Sequence, residues 1–151
     1  NIWQRAYVSL LGLLPSASPE VIYLQTSFDD RGESLSGNCS YTLSGEVPDA
    51  RYWSYAIYGN DNYYLQDPNS LFDEPTFDDL FAQVTNGSEL TSIIGENYII
   101  KIDNNLINQN GTLSHFGNDF TLIYRIYGPN LNYYENPTSI PVASIINEGC
   151  K

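Results

Sequence analysis

The side chains of this chain that could do chemistry are mostly carboxylates, and they are unevenly placed. Asp and Glu number 18 against 6 Lys and Arg, which gives a net charge of −12. The segment 52–96 contains no Lys or Arg. It holds six acids that could offer oxygen ligands to Ca²⁺: Asp61, Asp67, Asp73, Glu74, Asp78 and Asp79. Their spacing lacks the regular pattern of a calcium loop, so we predict no metal site and no cofactor.

The chain offers little for nucleophilic catalysis. His115 is the one histidine of the sequence, and it follows Ser114 directly. Adjacent residues seldom face one another as a Ser/His pair must, and no G-x-S-x-G elbow occurs. We therefore predict no catalytic residue. A hydrolase with two carboxylates about 5–10 Å apart across a cleft is the enzymatic alternative.

Arg125 lies in the segment FTLIYRIYGP, which alternates large apolar side chains with others. It falls on the face opposite four apolar residues, namely Phe120, Leu122, Tyr124 and Ile126. We predict a structural ion pair between Arg125 and an acid such as Asp30 or Asp103, which would lock strands together. Recognition of an anionic substrate is the alternative, since a guanidinium group binds planar anions through two parallel hydrogen bonds.

Tyrosine is abundant, with 13 residues that include the doublets Tyr63-Tyr64 and Tyr133-Tyr134. Adjacent residues of a strand or loop cannot both point inward, so each doublet should place one ring at the surface. Exposed tyrosine is enriched at protein interfaces and stacks on sugar rings. We predict contact surfaces at these four residues for a protein partner or a second copy, with carbohydrate binding as the alternative.

Cys39 and Cys150 are the only cysteines. Cys39 shares the inward face of a predicted strand with Tyr41 and Leu43. Early and late strands often lie side by side in a closed sandwich. We predict a Cys39–Cys150 disulfide with Cα atoms about 4.4–6.8 Å apart, which would indicate an oxidising compartment. Two free thiols are the alternative.

Three N-glycosylation sequons begin at Asn38, Asn86 and Asn110. Three is about the number that chance gives for this composition. Asn38 points away from the Cys39 face, and the other two fall in predicted turns. Asn-Gly is equally the preferred pair of a tight hairpin turn, which is the structural alternative. We expect modification in a eukaryotic secretory setting and none in bacteria.

Period-two alternation of aromatic and β-branched residues predicts strands along most of the chain. They are residues 21–26, 38–43, 52–58, 63–66, 98–103 and 120–127, with 52–58 and 63–66 joined as a hairpin. A capping box at Thr76 and Asp79 opens a predicted helix over residues 76–85. Residues 1–20 fit an amphipathic lead-in helix, with a signal peptide as the alternative over residues 6–14. We therefore predict a mainly β fold, an antiparallel β-sandwich or jelly-roll-like domain that spans residues 1–151, with the sandwich in residues 21–151.

The charge and hydropathy of the sequence limit the classes of binding partner that we expect. The excess of acid repels phosphate backbones and anionic headgroups. No run approaches the roughly 18 apolar residues that span a bilayer. We expect protein partners or a homo-oligomer, with glycans as a further class, and we expect neither nucleic acid nor direct membrane insertion.

Four stretches along the chain carry a family resemblance. They are Arg5-Ala6-Tyr7-Val8 with Gly12 and residues 20–23; Asp30-x-Gly32-x-x-Leu35-x-Gly37 then Tyr41-x-Leu43; Pro48 then Trp53-Ser54 and Tyr58; and Phe120-x-Leu122-x-x-Arg125-x-Tyr127-x-Pro129. In this order and spacing the chain resembles the domain of unknown function 1214 family, often the C-terminal half of a two-domain bacterial protein. Residues 114–117 stand where that family usually has Trp-Leu-Pro, and the domain that often precedes it is not in this sequence. The resemblance implies a jelly-roll-like sandwich in an extracytoplasmic setting, and it carries over no catalytic residue.

The predicted function is a non-enzymatic, extracytoplasmic structural or interaction subunit that forms part of a larger assembly. This interpretation depends on an acidic, aromatic-rich strand pattern without nucleophile, metal-ligand or phosphate-loop signatures. A carbohydrate-binding module and a hydrolase with paired carboxylates are the alternatives. The expected location is secreted, at the cell surface or in an organelle lumen, with a virion as the alternative because jelly rolls build capsids.

Overall fold

The computed structural model describes residues 4–5, 21–61, 63–65, 84–86, 96–104 and 111–151. These residues form nine strands: β1 Gln4–Arg5, β2 Val21–Thr26, β3 Cys39–Glu46, β4 Ala50–Gly59, β5 Val84–Asn86, β6 Asn97–Asp103, β7 Thr112–Ser114, β8 Phe120–Pro129 and β9 Ser144–Cys150. One short helix, α1 Asn132–Glu135, and a 3-10 turn, Pro137–Ser139, lie between β8 and β9. The predicted mainly β fold is confirmed.

The strands form two sheets. One has the order β1-β2-β8-β4-β5 and the other β7-β6-β3-β9. Neighbouring strands are antiparallel except β6 and β7, which are parallel. Consecutive strands β3 and β4 lie in different sheets, so the chain crosses from one layer to the other and the apolar faces of both sheets meet.

Alternation along the strands explains which side chains fill the core. In β8 the burial pattern alternates from Phe120 to Tyr127, and Leu122, Tyr124 and Ile126 are fully buried. The facing β6 contributes Ile100 and Ile102 in the same manner. Because side chains of a strand point to opposite faces in turn, each strand supplies one row to the core and one row to the surface.

Aromatic rings join the two sheets at the centre of the core. The rings of Tyr55 and Tyr124 stack with centroids 4.4 Å apart, and Trp53 lies 4.6 Å from Tyr98 on the opposite sheet. The hydroxyl groups of Tyr55 and Tyr98 hydrogen-bond across the sandwich at 2.5 Å. Burial raises the pKa of Tyr55, Tyr98 and Tyr124 above the ordinary value of 10.0. The core thus combines apolar packing with a buried network of phenols.

Two predicted elements differ from the structure. Residues 63–65 form a bend and no strand, although the Gly59 N–H donates to the Tyr63 carbonyl at 2.8 Å and closes a tight turn there. The hairpin prediction was wrong because β4 already pairs with β8 on one side and with β5 on the other. The predicted helix over 76–85 lies outside the described residues except for its last two, which belong to β5.

The lead-in helix predicted over residues 1–20 also lies outside the described residues, apart from Gln4–Arg5. Those two residues form β1, where Gln4 pairs with Gln25 and Arg5 with Leu24 of β2. The N-terminal region therefore contributes an edge strand to the five-stranded sheet at this point.

β9 is an edge strand of the four-stranded sheet and is irregular. It pairs with β3 from Ser144 to Cys150, and the register shifts between Ser40 and Tyr41, so that Glu148 is skipped. Gly149, next to the skipped residue, has a φ of 141°. An extra residue in one strand of an antiparallel pair is a β-bulge, which bends the strand locally.

Candidate functional site

The predicted disulfide between Cys39 and Cys150 is present. The two residues are opposite partners on β3 and β9, with a Cα–Cα distance of 3.9 Å. This distance is shorter than the expected range. The hydrogen bond from Lys151 N–H to the Asn38 carbonyl flanks the pair, which makes it a non-hydrogen-bonded pair, the closer of the two kinds of antiparallel partners.

His115 is buried beside this disulfide and has a structural role. The Gly117 N–H donates to His115 Nδ1 at 3.0 Å, so Nε2 carries the proton and donates to the Cys39 carbonyl at 2.9 Å. Burial lowers the pKa of His115 and keeps the ring neutral. The neighbouring Ser114 accepts from the Phe116 N–H at 3.3 Å. No local pattern around His115 indicates its hydrogen bond to β3.

The loop that carries the Asp30-x-Gly32-x-x-Leu35-x-Gly37 motif is hydrogen-bonded to β9 of one sheet and to Asp119, next to β8 of the other. Asp30 accepts from the Ile145 N–H at 3.0 Å and bonds the Ser144 hydroxyl. The Gly37 N–H donates to Asp119 at 3.0 Å. A Cβ at Gly37 would lie 2.2 Å from the Gly117 carbonyl carbon, so the two backbones touch there. The motif is thus explained by close packing of loops at one end of the sandwich.

We expect Gly37→Ala to lower the free energy of unfolding by about 2–3 kcal/mol, because the added methyl group meets backbone that must shift. Gly32→Ala is the matched comparison, since Gly32 has open space around it and a φ of 79°. Its cost comes from backbone strain alone and should be about 1 kcal/mol. Urea denaturation of both variants checks the order, and an equal loss at the two positions would contradict it.

The two tyrosine doublets do not share a surface. Gly59, just before the Tyr63 doublet, pairs with Phe120 at one end of β8, whereas the Tyr133 doublet follows the other end. The strands between them span about 30 Å. Tyr63 is 74% exposed, but Tyr133 is only 7% exposed and its hydroxyl accepts from the Asp49 N–H at 2.9 Å. The Tyr133 doublet was predicted as strand or loop; it lies in α1, which turns one ring into the core.

The remaining predicted sites are only partly described. Asn38 is exposed beside the disulfide, Asn86 ends β5 and so is not in the predicted turn, and Asn110 lies outside the described residues. Of the six candidate calcium ligands only Asp61 is described. Over the described ranges, no three His, Cys, Asp or Glu side chains group closely enough to hold a metal ion.

Arg125 has a different partner from the predicted one. Its Nε–H donates to the Ser54 hydroxyl at 3.0 Å, across the β8–β4 pair. Asp30 is engaged with β9, and Asp103 accepts from the Ser40 hydroxyl at 3.0 Å. Both ion pairs among the described side chains belong to Arg31. Neither Asp30 nor Asp103 pairs with Arg125, because each of these two acids bonds a strand of the four-stranded sheet.

Tyrosines flank Arg125 on the outer face of the five-stranded sheet. Tyr23 is its partner on β2, opposite Ser54 on β4. One residue pair further along, the rings of Tyr52 and Tyr127 lie 5.4 Å apart. Towards the other end, Tyr58 stacks on Tyr64 with centroids 4.5 Å apart and their hydroxyls 3.0 Å apart. We call Tyr23, Ser54, Tyr58, Arg125 and Tyr127 the arginine site.

The electrostatics of the arginine site follow from this arrangement. Burial and the neighbouring Tyr127 phenol raise the pKa of Tyr23, and the Arg125 charge opposes that rise. Burial and the hydrogen bond with Tyr64 raise the pKa of Tyr58, again against the Arg125 charge. The Arg125 cation therefore acts on phenols on both sides, and these phenols stay neutral near pH 7.

A second concavity lies on the four-stranded sheet. A shallow groove of about 470 Å³ opens where β9 leaves β3, with Ser44, Gly45, Tyr98 and Val142 among its lining residues. A Cβ at Gly45 would lie 2.7 Å from the Tyr98 hydroxyl, so the glycine makes room for that buried ring. Glu46 is the one charged side chain among the described residues of the lining. The groove has the size of a ligand pocket, and its described lining contains the hydroxyls of Ser44 and Ser144 but no cation.

Comparisons with known proteins agree with this fold. A family model described as "Protein of unknown function (DUF1214)" matches residues 20–131. The VPA0106 protein from Vibrio parahaemolyticus superposes with a TM-score of 0.68 at 22% identity, over 93% of this chain and 33% of that protein. An uncharacterised protein from Burkholderia cenocepacia gives a TM-score of 0.60 at 11% identity, over 96% of this chain and 34% of that one. No curated protein matches the sequence.

The chain spans about a third of the length of the two solved proteins. At these identities the likeness concerns the fold alone. Across the described part of the chain, no helix combines the length and hydropathy needed to span a bilayer.

Proposed function

The chain belongs to the DUF1214 family, and from that premise we propose that it is a non-enzymatic interaction domain that works outside the cytoplasm as part of a larger assembly. The family description assigns no reaction. The observation that carries the proposal is the outer face of the five-stranded sheet, where tyrosines surround the half-buried Arg125. Tyr and Arg are enriched in the residues that dominate binding energy at protein interfaces.

The described carboxylates support a binding domain more than a hydrolase. Buried Asp29 accepts from the N–H groups of Arg31 and Glu33 at 2.9 and 3.0 Å and so shapes its own loop. Asp30 and Asp103 likewise bond backbone or hydroxyl groups of nearby strands. These acids are used to hold loops and strands together, and we propose no hydrolytic role for them.

The Cys39–Cys150 bridge supports the extracytoplasmic part of the proposal. Disulfides persist in oxidising compartments and are rare in the cytosol of mesophilic cells. The assembly part rests on the solved structures, in which this fold occupies about a third of a longer chain. A domain with such neighbours would present its free face to another domain or subunit.

A site-specific photocrosslinker placed at Tyr52 tests the interaction face in the source cells. Tyr52 is 44% exposed on the five-stranded sheet, and Ile146, 49% exposed on the other sheet, is the matched control. We expect a discrete crosslinked product from position 52 and none from position 146, because only the first lies beside Arg125. Mass spectrometry of the product identifies the partner. Equal crosslinking at both positions, or none at either, would contradict the proposed interaction face.

A further inference from the structure

We propose that the Cys39–Cys150 disulfide is a redox-sensitive switch that opens while the domain stays folded. In the oxidised form the bridge holds the terminal half of β9, residues 147–150, against β3. A dithiol reductant releases this terminal half and leaves the edge of β3 open, while the rest of the sandwich keeps its structure. The switch lies on the four-stranded sheet, so it goes beyond the interaction face proposed for the other sheet, and the two proposals can fail separately.

The start of β9 is anchored without the disulfide. Ile145 is fully buried and belongs to the core. Its N–H donates to the Asp30 carboxylate at 3.0 Å, and its carbonyl accepts from the Asp30 N–H at 3.0 Å. The Ser144 hydroxyl donates to the same carboxylate. Because none of these contacts involves Cys150, the start of β9 should remain in place when the bridge is broken.

The terminal half of β9 is held less firmly. Its four residues all belong to the described part of the chain, and none of them is buried. Glu148, Gly149 and Cys150 are exposed, so they contribute no packing to the core. The Gly149 N–H donates to the side chain of Asn147 at 2.9 Å, a bond within β9 itself. The covalent bridge is therefore the strongest tie between the terminal half and β3.

On the other side of the bridge, β3 is held by contacts of its own. The Cys39 carbonyl accepts from His115 Nε2 at 2.9 Å. The Ser40 hydroxyl donates to Asp103 of β6 at 3.0 Å. Loss of the bridge should therefore displace the terminal half of β9 and leave β3 in place. The N–H and C=O groups of β3 from Cys39 to Tyr41 then form an open sheet edge, with which another strand can pair.

The exposure of Cys150 allows thiol–disulfide exchange in the folded protein. A thiolate of the reductant attacks Cys150 Sγ, the bond between the two Sγ atoms breaks, and Cys39 leaves as a thiolate that takes up a proton. The second thiolate of the reductant attacks its own sulfur in the mixed disulfide, and Cys150 leaves as a thiolate. The dithiol is thereby oxidised to a disulfide by two electrons. The Asn147 side-chain N–H, 3.5 Å from Cys150 Sγ, can donate to the departing thiolate and stabilise it.

The kinetics of reduction of the native chain by dithiothreitol test whether the bridge opens in the folded state. Alkylation of the released thiols, followed by mass spectrometry, measures the rate. We expect this rate to be proportional to the dithiothreitol concentration and unchanged in dilute urea, because the reductant attacks the folded protein directly. Urea increases the unfolded fraction of the chain. A rate of reduction that rises with urea as the unfolded fraction does would overturn the proposal.

Backbone ¹⁵N relaxation tests which part of the chain is released, by comparing the native chain with Cys150→Ser, which cannot form the bridge. We expect the heteronuclear NOE of residues 147–151 to fall to the values of a mobile tail in this variant, while Ile145 and its partner Leu43 keep native values. Glu148→Gln is the matched control, since it changes an exposed side chain of the same segment and keeps the bridge. Native NOE values throughout residues 147–151 of Cys150→Ser would contradict the release. The kinetic test uses the native chain alone, so it decides the question even if Cys150→Ser does not fold.

Discussion

Replacing Cys150 with serine should lower the free energy of unfolding by about 4–5 kcal/mol, because the bridge closes a very long loop in the unfolded chain. The two cysteines are 111 residues apart in sequence. The substitution creates no buried cavity, because Cys150 lies at the exposed end of β9 and serine is only slightly smaller than cysteine. Urea denaturation under non-reducing conditions measures the loss.

Reduction of the native chain provides an independent check of the same effect. Dithiothreitol should destabilise the native chain by a similar amount and should not affect a Cys39→Ala/Cys150→Ala variant. A native chain that is equally stable with and without reductant would show that the bridge contributes nothing measurable.

Alkaline pH should unfold the protein steeply above pH 10. Tyr55, Tyr98 and Tyr124 are buried at the centre of the core, and burial raises the pKa of each above 10.0 in the folded state. In the unfolded chain these phenols lose their protons near pH 10. Above that pH the unfolded state therefore binds fewer protons than the folded state, so stability falls as pH rises. Each phenol contributes about 1.4 kcal/mol per pH unit, or roughly 4 kcal/mol per unit for the three.

Urea denaturation between pH 8 and pH 11 measures this slope, and tyrosinate absorbance follows the phenols directly. The Tyr55→Phe/Tyr98→Phe variant removes two of the three buried phenols, so its alkaline slope should be shallower than that of the native chain. Tyr63→Phe, at a position that is 74% exposed, should leave the slope unchanged. A double variant with the native slope would contradict the part assigned to these phenols.

Alternation of side chains was enough to predict the central strands. β2 was predicted at its observed bounds, and β8 was predicted over residues 120–127 against Phe120–Pro129 in the structure. β9 was missed because adjacent Ile145 and Ile146 and the bulge at Glu148 break the period of two. Residues 63–66 have strand-forming side chains, but pairing also needs a free neighbouring edge, which a local pattern cannot reveal.

Features of the candidate site could be predicted only where they depend on which face of a strand a side chain occupies. The inward position of Cys39, with the general rule that early and late strands of a sandwich often lie side by side, led to the correct disulfide. The partner of Arg125 depended instead on cross-strand register, since Ser54 is 71 residues away in sequence. Asp30 was unavailable because it bonds Ile145, which is 115 residues away. The grouping of tyrosines around Arg125 follows from the same registers and carries no local signal.

The irregular edge strand β9 has a consequence for how copies of this protein meet one another. A straight, open sheet edge is a template on which another chain can add a strand and begin to aggregate. Here the bulge at Glu148 bends the edge, and the disulfide ties its far end to β3. At Gly149 the φ angle is 141°, so the backbone there does not have the extended conformation with which an incoming strand would pair. The strand that closes the sheet also makes its edge a poor surface for the growth of fibres.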